Sequence, residues 1–180
     1  MAEPITLAEA KAQVRMVEDD SEDTFIESLI APARAYVERY TYYSFVAGTR
    51  TAEFSAWGDF LEIARRPIAS ITSITYSTTN DTADDVELED FIAPLGRYPF
   101  RIYPYSTFPT LIDGGSITVT YTTGAVATTS EEYLIGKRAM LLLIGHWFEN
   151  RETAALGVAS NEVDFAVREL LDSIRPVSAY

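Results

Sequence analysis

The sequence predicts an α+β protein, with a mainly helical layer built from both ends of the chain and a small β subdomain inserted between them. Apolar residues recur at helical spacing near both ends, whereas the middle of the chain holds short segments rich in Thr, Ile, Val and Tyr. Turn-forming Gly, Pro, Asn and Asp separate these segments. We therefore expect a helical domain from residues 1–45 and 128–175, a β subdomain from 46–127 and a flexible C-terminal tail from 176–180.

The composition narrows the class of protein. With 180 residues and 47% hydrophobic content, the chain can bury a substantial core. The absence of cysteine excludes a disulfide framework and thiolate zinc sites. We see no signal peptide ahead of Ile5, which favours synthesis in a cytoplasm. The formal net charge of -13 disfavours attraction to nucleic acid and favours a repulsive surface.

Two helices are predicted in the first 45 residues. Thr6 and Glu9 have the spacing of a capping box, which opens a helix from Leu7 to about Val17. An acidic window at residues 18–27 then supplies carboxylates to the positive end of the second helix. Apolar positions at helical spacing define the predicted buried face of this helix: Phe25, Ile26, Leu29, Ile30, Ala33, Tyr36, Val37 and Tyr40.

Six strands are predicted in the middle of the chain: Ala52–Ser55, Phe60–Ile63, Ile71–Tyr76, Asp90–Ala93, Arg101–Tyr103 and Ser116–Thr122. In the last strand Ile117, Val119 and Tyr121 alternate with threonines, which predicts one buried face. Gly114–Gly115 just before it is predicted to form a turn. The acidic stretch 80–89 is expected to be a mobile loop, because it has little apolar surface to bury.

The longest apolar stretch lies within residues 129–152 and is predicted to form the central helix. Thr129 and Glu132 have capping-box spacing at its start. Apolar residues surround the helix on every side, so we expect it to be buried. The apolar block is shorter than the roughly 20 residues of a membrane crossing, and we expect no membrane association. The side chains predicted to lie in the core are Leu142, Ile144, Trp147 and Phe148.

A last helix is predicted from about Glu162 to Ile174, after a small-residue connection at 153–160. Pro176 ends this helix and leaves a short tail. The side chains predicted to face the interior are Phe165, Val167, Leu170, Leu171 and Ile174.

His146 is the single histidine, so any histidine-dependent mechanism would have to use it. Glu149 and Asn150 follow at i+3 and i+4, but metal sites generally need three or four ligands and no second cluster supplies them. We therefore expect a core or interface histidine, with no catalytic, metal or cofactor-binding residue and no cofactor. A small metal-dependent hydrolase that uses His146 is the alternative from a different class.

Six segments of the chain carry a family resemblance through their order and spacing: Ile5–Lys11, Ala33–Glu38, Arg66–Tyr76, Ile117–Gly124, Ala139–Ile144 and His146–Glu152. Together they resemble the head-tail connector (adaptor) proteins of tailed bacteriophages, which are also described as DNA-packaging-like. The resemblance spans nearly the whole chain, and no single motif within it is diagnostic.

The resemblance implies a structural virion protein at the head-tail interface, and no enzyme. In this family the subunits form a ring, expected to be dodecameric, between the portal protein and the stopper or tail-completion protein. DNA passes through the channel without specific binding. The C-terminal segment is expected to dock on the portal, through Arg175, Val177 and Tyr180. The alternative within this class is another head-completion or tail-completion protein of the virion neck.

Overall fold

The computed structural model describes residues 2–79, 82–151 and 161–175. The chain divides into two compact units, one of residues 1–46 with 126–180 and the other of residues 47–125. We call them the helical unit and the β unit. Within the described residues they contain four α-helices and two antiparallel sheets, which confirms the predicted α+β class.

The helical unit consists of α1 (Leu7–Val14), α2 (Asp23–Thr41), α3 (Glu131–Glu149) and α4 (Asn161–Asp172). Helix α3 packs against the other three helices, so it lies at the centre of this unit. The buried core comprises Ile5, Ala10, Ile26, Ile30, Ala33, Val37, Phe45, Val126, Ala139, Met140, Leu143, Ile144, Val167, Leu171 and Ile174.

Helix α1 begins at the predicted capping box. Thr6 Oγ1 accepts the Glu9 N–H at 3.3 Å, and Glu9 Oε2 accepts the Thr6 N–H at 3.0 Å. The helix ends at Val14, earlier than expected, because Arg15 adopts a left-handed conformation (φ 61°) and donates its N–H back to Ala12. Val17, the predicted end of the helix, consequently lies beyond it and is exposed.

Helix α2 confirms the predicted apolar stripe, since Ile26, Ile30, Ala33 and Val37 are buried. The acidic window before it is partly neutralised within the helical unit. Lys11 Nζ pairs with Asp20 and lies 2.8 Å from Asp23 Oδ1. Glu22 pairs with Arg151 at 3.2 Å, and Asp19 accepts the Ser21 N–H at 2.8 Å.

Helix α3 differs from the prediction in its cap and its burial. Ser130, not Thr129, is the N-cap, and its Oγ accepts the Tyr133 N–H at 3.2 Å. One face is buried, whereas Leu134 on the helix is 58% exposed, so the expectation of burial on every side was wrong. The three neighbouring helices cover only part of its circumference. Of the four predicted core residues, Ile144 is fully buried, and three are half-buried against the core: Leu142, Trp147 and Phe148.

Helix α4 buries Val167 and Leu171, with Leu170 half-buried and Ile174 buried just after the helix ends. Phe165 is 65% exposed, so its predicted interior position was wrong. It precedes Val167 by two residues, which turns it about 200° around the helix from that buried side chain. The predicted connection at 153–160 lies outside the described residues.

The β unit contains a four-stranded antiparallel sheet in the order β1-β7-β3-β4 and a three-stranded sheet in the order β2-β6-β5. The strands are β1 (Gly48–Phe54), β2 (Leu61–Ile63), β3 (Ile68–Thr79), β4 (Thr82–Val86), β5 (Phe91–Ile92), β6 (Phe100–Pro104) and β7 (Ile117–Thr123). The predicted alternation in β7 is confirmed, since Ile117, Val119 and Tyr121 are all buried.

Strands β1 and β3 are longer than predicted, and two further segments of the β unit differ from the sequence prediction in kind. The expected acidic loop at 80–89 contains β4, which pairs with β3 so that Val86 lies opposite Ile74. An edge strand can form backbone hydrogen bonds with one neighbouring strand, while its charged side chains discourage pairing of its other edge with another chain. The expected strand at 90–93 is only Phe91–Ile92, because Leu88–Asp90 forms a 3-10 turn.

An aromatic cluster occupies the interior of the β unit. The Trp57 ring stacks on Phe108 with 4.7 Å between centroids, and Phe91 and Tyr76 lie against it. Offset aromatic contacts of this kind add stability beyond the area they bury. Gly114, with φ +74°, forms the predicted turn before β7.

Hydrogen bonds fix the two points at which the chain passes out of the helical unit and returns to it. The buried Glu38 carboxylate accepts the N–H groups of Phe45 at 2.8 Å and Val46 at 3.4 Å. Its second oxygen lies 3.3 Å from Arg34 Nη1. On the return, Val126 donates its N–H to the Ser44 carbonyl at 2.9 Å.

Glu38→Ala is expected to destabilise the protein by about 1–3 kcal/mol, because it leaves the Phe45 N–H and the Arg34 guanidinium without this acceptor. Glu27→Ala is the matched control on the exposed face of the same helix, where we expect a change within about 0.5 kcal/mol. Urea unfolding of both variants measures the difference. Equal stability of the two variants would contradict the closing role of Glu38.

Gly136→Ala is also expected to be destabilising. A Cβ at this position would lie 2.2 Å from Phe45 Cζ, and Phe45 is buried against Tyr133. Overpacking of this kind costs about 1–3 kcal/mol, and at so short a distance we expect it to exceed the ~1 kcal/mol that alanine gains over glycine in a helix. Thermal unfolding should show a lower Tm.

Gly145→Ala is the control for this substitution, because it gives the same gain in helix propensity on the same helix. Its Cβ would meet only the flexible Gln13 side chain, at 3.4 Å or more. We expect a Tm equal to or above that of the parent protein. A Gly136→Ala variant as stable as Gly145→Ala would show that Phe45 does not require the glycine.

Candidate assembly surfaces

His146 is half-buried on α3, and its Nδ1 lies 3.1 Å from the Asn150 amide nitrogen. The same amide donates to the His146 carbonyl at 3.0 Å, which fixes Asn150 at the end of the helix. Among the residues that the structure describes, no three His, Asp or Glu side chains come close enough to hold a metal ion. The described geometry therefore provides no ligand set around His146.

The end of α3 carries a contact that the sequence analysis missed. Phe148 packs on Phe25 with ring centroids 6.0 Å apart, and the Arg151 guanidinium lies 4.3 Å from the Phe25 ring centre and 4.8 Å from that of Phe148. Arg151 also forms a salt bridge with Glu22, which belongs to the acidic window before α2. Cation-π contacts between segments so distant in sequence give no local pattern, so only the tertiary structure shows them.

Of the three predicted docking residues in the tail, Arg175 is described, whereas Val177 and Tyr180 lie outside the described residues. Arg175 is held against the helical unit by two contacts. Its N–H donates to the Leu171 carbonyl at 2.9 Å, and its guanidinium lies 5.0 Å from the centre of the Tyr40 ring. Arg175, three residues after the end of α4, is therefore held against Tyr40 of α2.

Tyr40 is itself held in place by the end of α4. Its hydroxyl donates to Asp172 Oδ1 at 2.7 Å. This hydrogen bond, together with burial, raises the pKa of Tyr40, and the nearby Arg175 opposes the shift. The phenol stays neutral at physiological pH and acts as a donor.

Three arginines, one on α2, one on α4 and one just after α4, surround a pocket of about 280 Å³, which we call the arginine pocket. Two tyrosines complete its wall, and their rings stack with centroids 6.5 Å apart and an interplanar angle of 6°. Guanidinium groups present forked N–H donors that match carboxylates and phosphates. The lining residues are Tyr36, Arg39, Tyr40, Arg168 and Arg175. Arg39 and Arg168 are far apart in sequence, so no motif could have predicted this cluster.

The β unit exposes an apolar surface of its own. Leu88 and Leu95 are exposed and line a pocket of about 220 Å³ beside Ile71, Ile74 and Phe91. Tyr105 is 77% exposed, whereas Phe100 in the same aromatic-rich stretch is fully buried. Exposed apolar groups gathered on one unit are typical of protein contact sites.

Acidic side chains follow this apolar surface along β4 and the 3-10 turn. We call residues 84–90 the acidic segment, and all of its carboxylates are exposed: Asp84, Asp85, Glu87, Glu89 and Asp90. In the described part of the chain, none of them forms an ion pair. The acidic window before α2, by contrast, is partly paired with Lys11 and Arg151.

Residues 4–89 match the family model described as "Phage gp6-like head-tail connector protein". This match confirms the family resemblance that the sequence predicted. No curated protein matches the chain significantly. None of the helices in the described residues is long and apolar enough to cross a membrane.

Solved structures share the fold over the whole chain. A chain from the "Neck of empty GTA particle computed with C6 symmetry" has a TM-score of 0.75 at 20% identity, covering 100% of this chain and 95% of that one. A chain from the "Virion of native gene transfer agent (GTA) particle" gives 0.72 at 20% identity, covering 98% and 92%. A chain from the "Neck of native GTA particle computed with C12 symmetry" gives 0.66 at 18% identity, covering 100% and 94%.

Proposed function

We propose that this chain, whose residues 4–89 match the gp6-like head-tail connectors, is a structural virion protein that forms the adaptor ring between a portal and the stopper or tail. The observation that carries the proposal is the agreement of two independent comparisons. A connector family model matches the first part of the sequence, and chains from particle necks share the fold across both units.

A closed ring fits this assignment. The neck structures with the same fold were computed with sixfold and twelvefold symmetry, and a dodecamer is compatible with both. Rings form through heterologous contacts, in which each copy presents two different complementary surfaces to its neighbours. The helical unit and the β unit each provide an exposed surface of different chemistry.

The charge of the chain also fits a channel protein. At a net charge of -13, the surface repels the phosphate backbone at long range. Acidic walls let DNA slide through a ring without sticking, and no sequence-specific contact is needed. The protein acts by assembly and, in this proposal, performs no catalysis.

Electron microscopy of the chain bound to its portal tests the assignment. We expect a twelve-membered ring directly beneath the portal, with the channel continuous through both. A ring located further down, or a single copy closing the channel, would instead assign the chain to another head-completion or tail-completion role. Particles that lack this protein should retain the portal and lose the tail.

The C-terminal segment is proposed to anchor each copy on the portal. A chain shortened after Arg175 should keep its melting temperature, because Ile174 is the last buried residue in the described chain. Portal co-sedimentation should be lost. Truncation after Ser173 is unsuitable, since it would also remove Ile174 from the core.

Val177→Ala/Tyr180→Ala in the full-length chain is the matched variant, because it keeps the length of the tail and removes its two large side chains. We expect at least a tenfold weaker portal affinity, as for the loss of an aromatic anchor. A shortened chain that still co-sediments with the portal would overturn the anchoring role.

A further inference from the structure

We propose that the arginine pocket binds the acidic segment of a neighbouring copy, so that this contact joins successive subunits of the ring. The inference rests on the proposed ring and adds the contact that closes it. It concerns two surfaces of this chain that carry opposite charge and lie on different units.

The arginine pocket concentrates positive charge on an otherwise acidic protein. The chain has 14 Lys and Arg residues against 27 Asp and Glu, yet three arginines line this one concavity. The stacking of Arg175 on Tyr40 and of Tyr40 on Tyr36 holds part of the wall in a defined geometry. A pocket that is arranged in advance loses less conformational entropy when it captures an anionic group.

The acidic segment is the occupant that the charges favour. Its five carboxylates are exposed and form no ion pair within the described residues, unlike the partly paired window before α2. Leu88 lies within it and is also exposed, so the segment presents an apolar side chain between carboxylates. The tyrosine rings of the pocket suit such a side chain, and the guanidinium groups suit its flanking acids.

A second copy is required by the kind of interface that a ring uses. Each subunit of a ring presents one surface to the neighbour on its left and a different one to the neighbour on its right. Copies with a net charge of -13 repel one another at long range. A local pairing of arginines with carboxylates offsets this repulsion at one point and fixes the orientation of the neighbour.

A peptide experiment tests the contact without assuming a ring. A fluorescent peptide of residues 82–91, TADDVELEDF, is titrated with the full-length chain at low salt, and binding is followed by anisotropy. We expect saturable binding that Arg39→Glu weakens by about tenfold or more. Arg15→Glu is the matched control, since Arg15 is exposed elsewhere on the helical unit and its substitution changes the net charge equally.

Four outcomes would overturn the proposal. They are no binding of the peptide at about 1 mM protein, equal weakening by Arg15→Glu, equal binding of a scrambled peptide with the same composition, and tighter binding of a short DNA duplex. The last two would assign the pocket to anions in general or to nucleic acid.

A charge exchange tests the same contact in the assembled ring. Arg39→Glu copies alone and Asp84→Lys/Asp85→Lys copies alone should each fail to form rings on the portal. An equimolar mixture should form them, because alternating copies restore attraction at every interface. Normal rings from either variant alone would overturn the inference and leave the adaptor role intact. Failure of the parent chain to form rings would contradict the proposed function, and the peptide titration would still decide the inference.

Discussion

The structure depends on the closure of a helical unit that the chain leaves for 79 residues and then re-enters. Three contacts accomplish this closure: the Glu38 carboxylate on the Phe45 and Val46 N–H groups, the Phe45 ring against Gly136, and the backbone bond from Val126 to Ser44. Burial of the Glu38 charge is costly, and the contacts with Arg34 and two backbone donors offset it. A hydrophobic contact alone would not fix where the chain leaves the helix, whereas these directional bonds do.

Local signals predicted most of the fold. The Thr6 capping box, the apolar stripe of α2 and the alternation in β7 depend on residues within one or two turns or one strand, and the structure confirms them. The predictions were wrong where the local structure depends on residues that are distant in sequence. The acidic content of 80–89 hid β4, because the pairing with β3 is a property of the neighbouring strand. The all-apolar appearance of α3 suggested burial on every side, but how far a helix is covered depends on how many neighbours pack around it.

The candidate site was less predictable for the same physical reason. The sequence drew attention to Arg175 as part of a tail, and its stacking on Tyr40 follows from the packing of α4 on α2. Arg39 and Arg168 lie on separate helices, and each is an ordinary surface arginine when considered alone. Hydrophobic periodicity identifies the faces that must be buried, but it gives no information on which exposed charges become neighbours. Surface chemistry therefore requires the tertiary structure.

The distribution of charge connects the fold with assembly. In the proposed adaptor ring, a strongly acidic subunit suits a channel through which DNA moves, and the same charge opposes the assembly of many copies around that channel. Neutralising the whole subunit surface would remove the repulsion between copies, but it would also remove the negative charge that keeps DNA from binding to the channel wall. In the contact that we propose between copies, three arginines are concentrated in one pocket, and the carboxylates of the acidic segment, which form no ion pair within the described residues, lie on the other unit. Attraction would then arise only where neighbouring copies meet. Such a contact is weakened by salt and by charge reversal, and it is sensitive to orientation, which is the property that a closed ring requires.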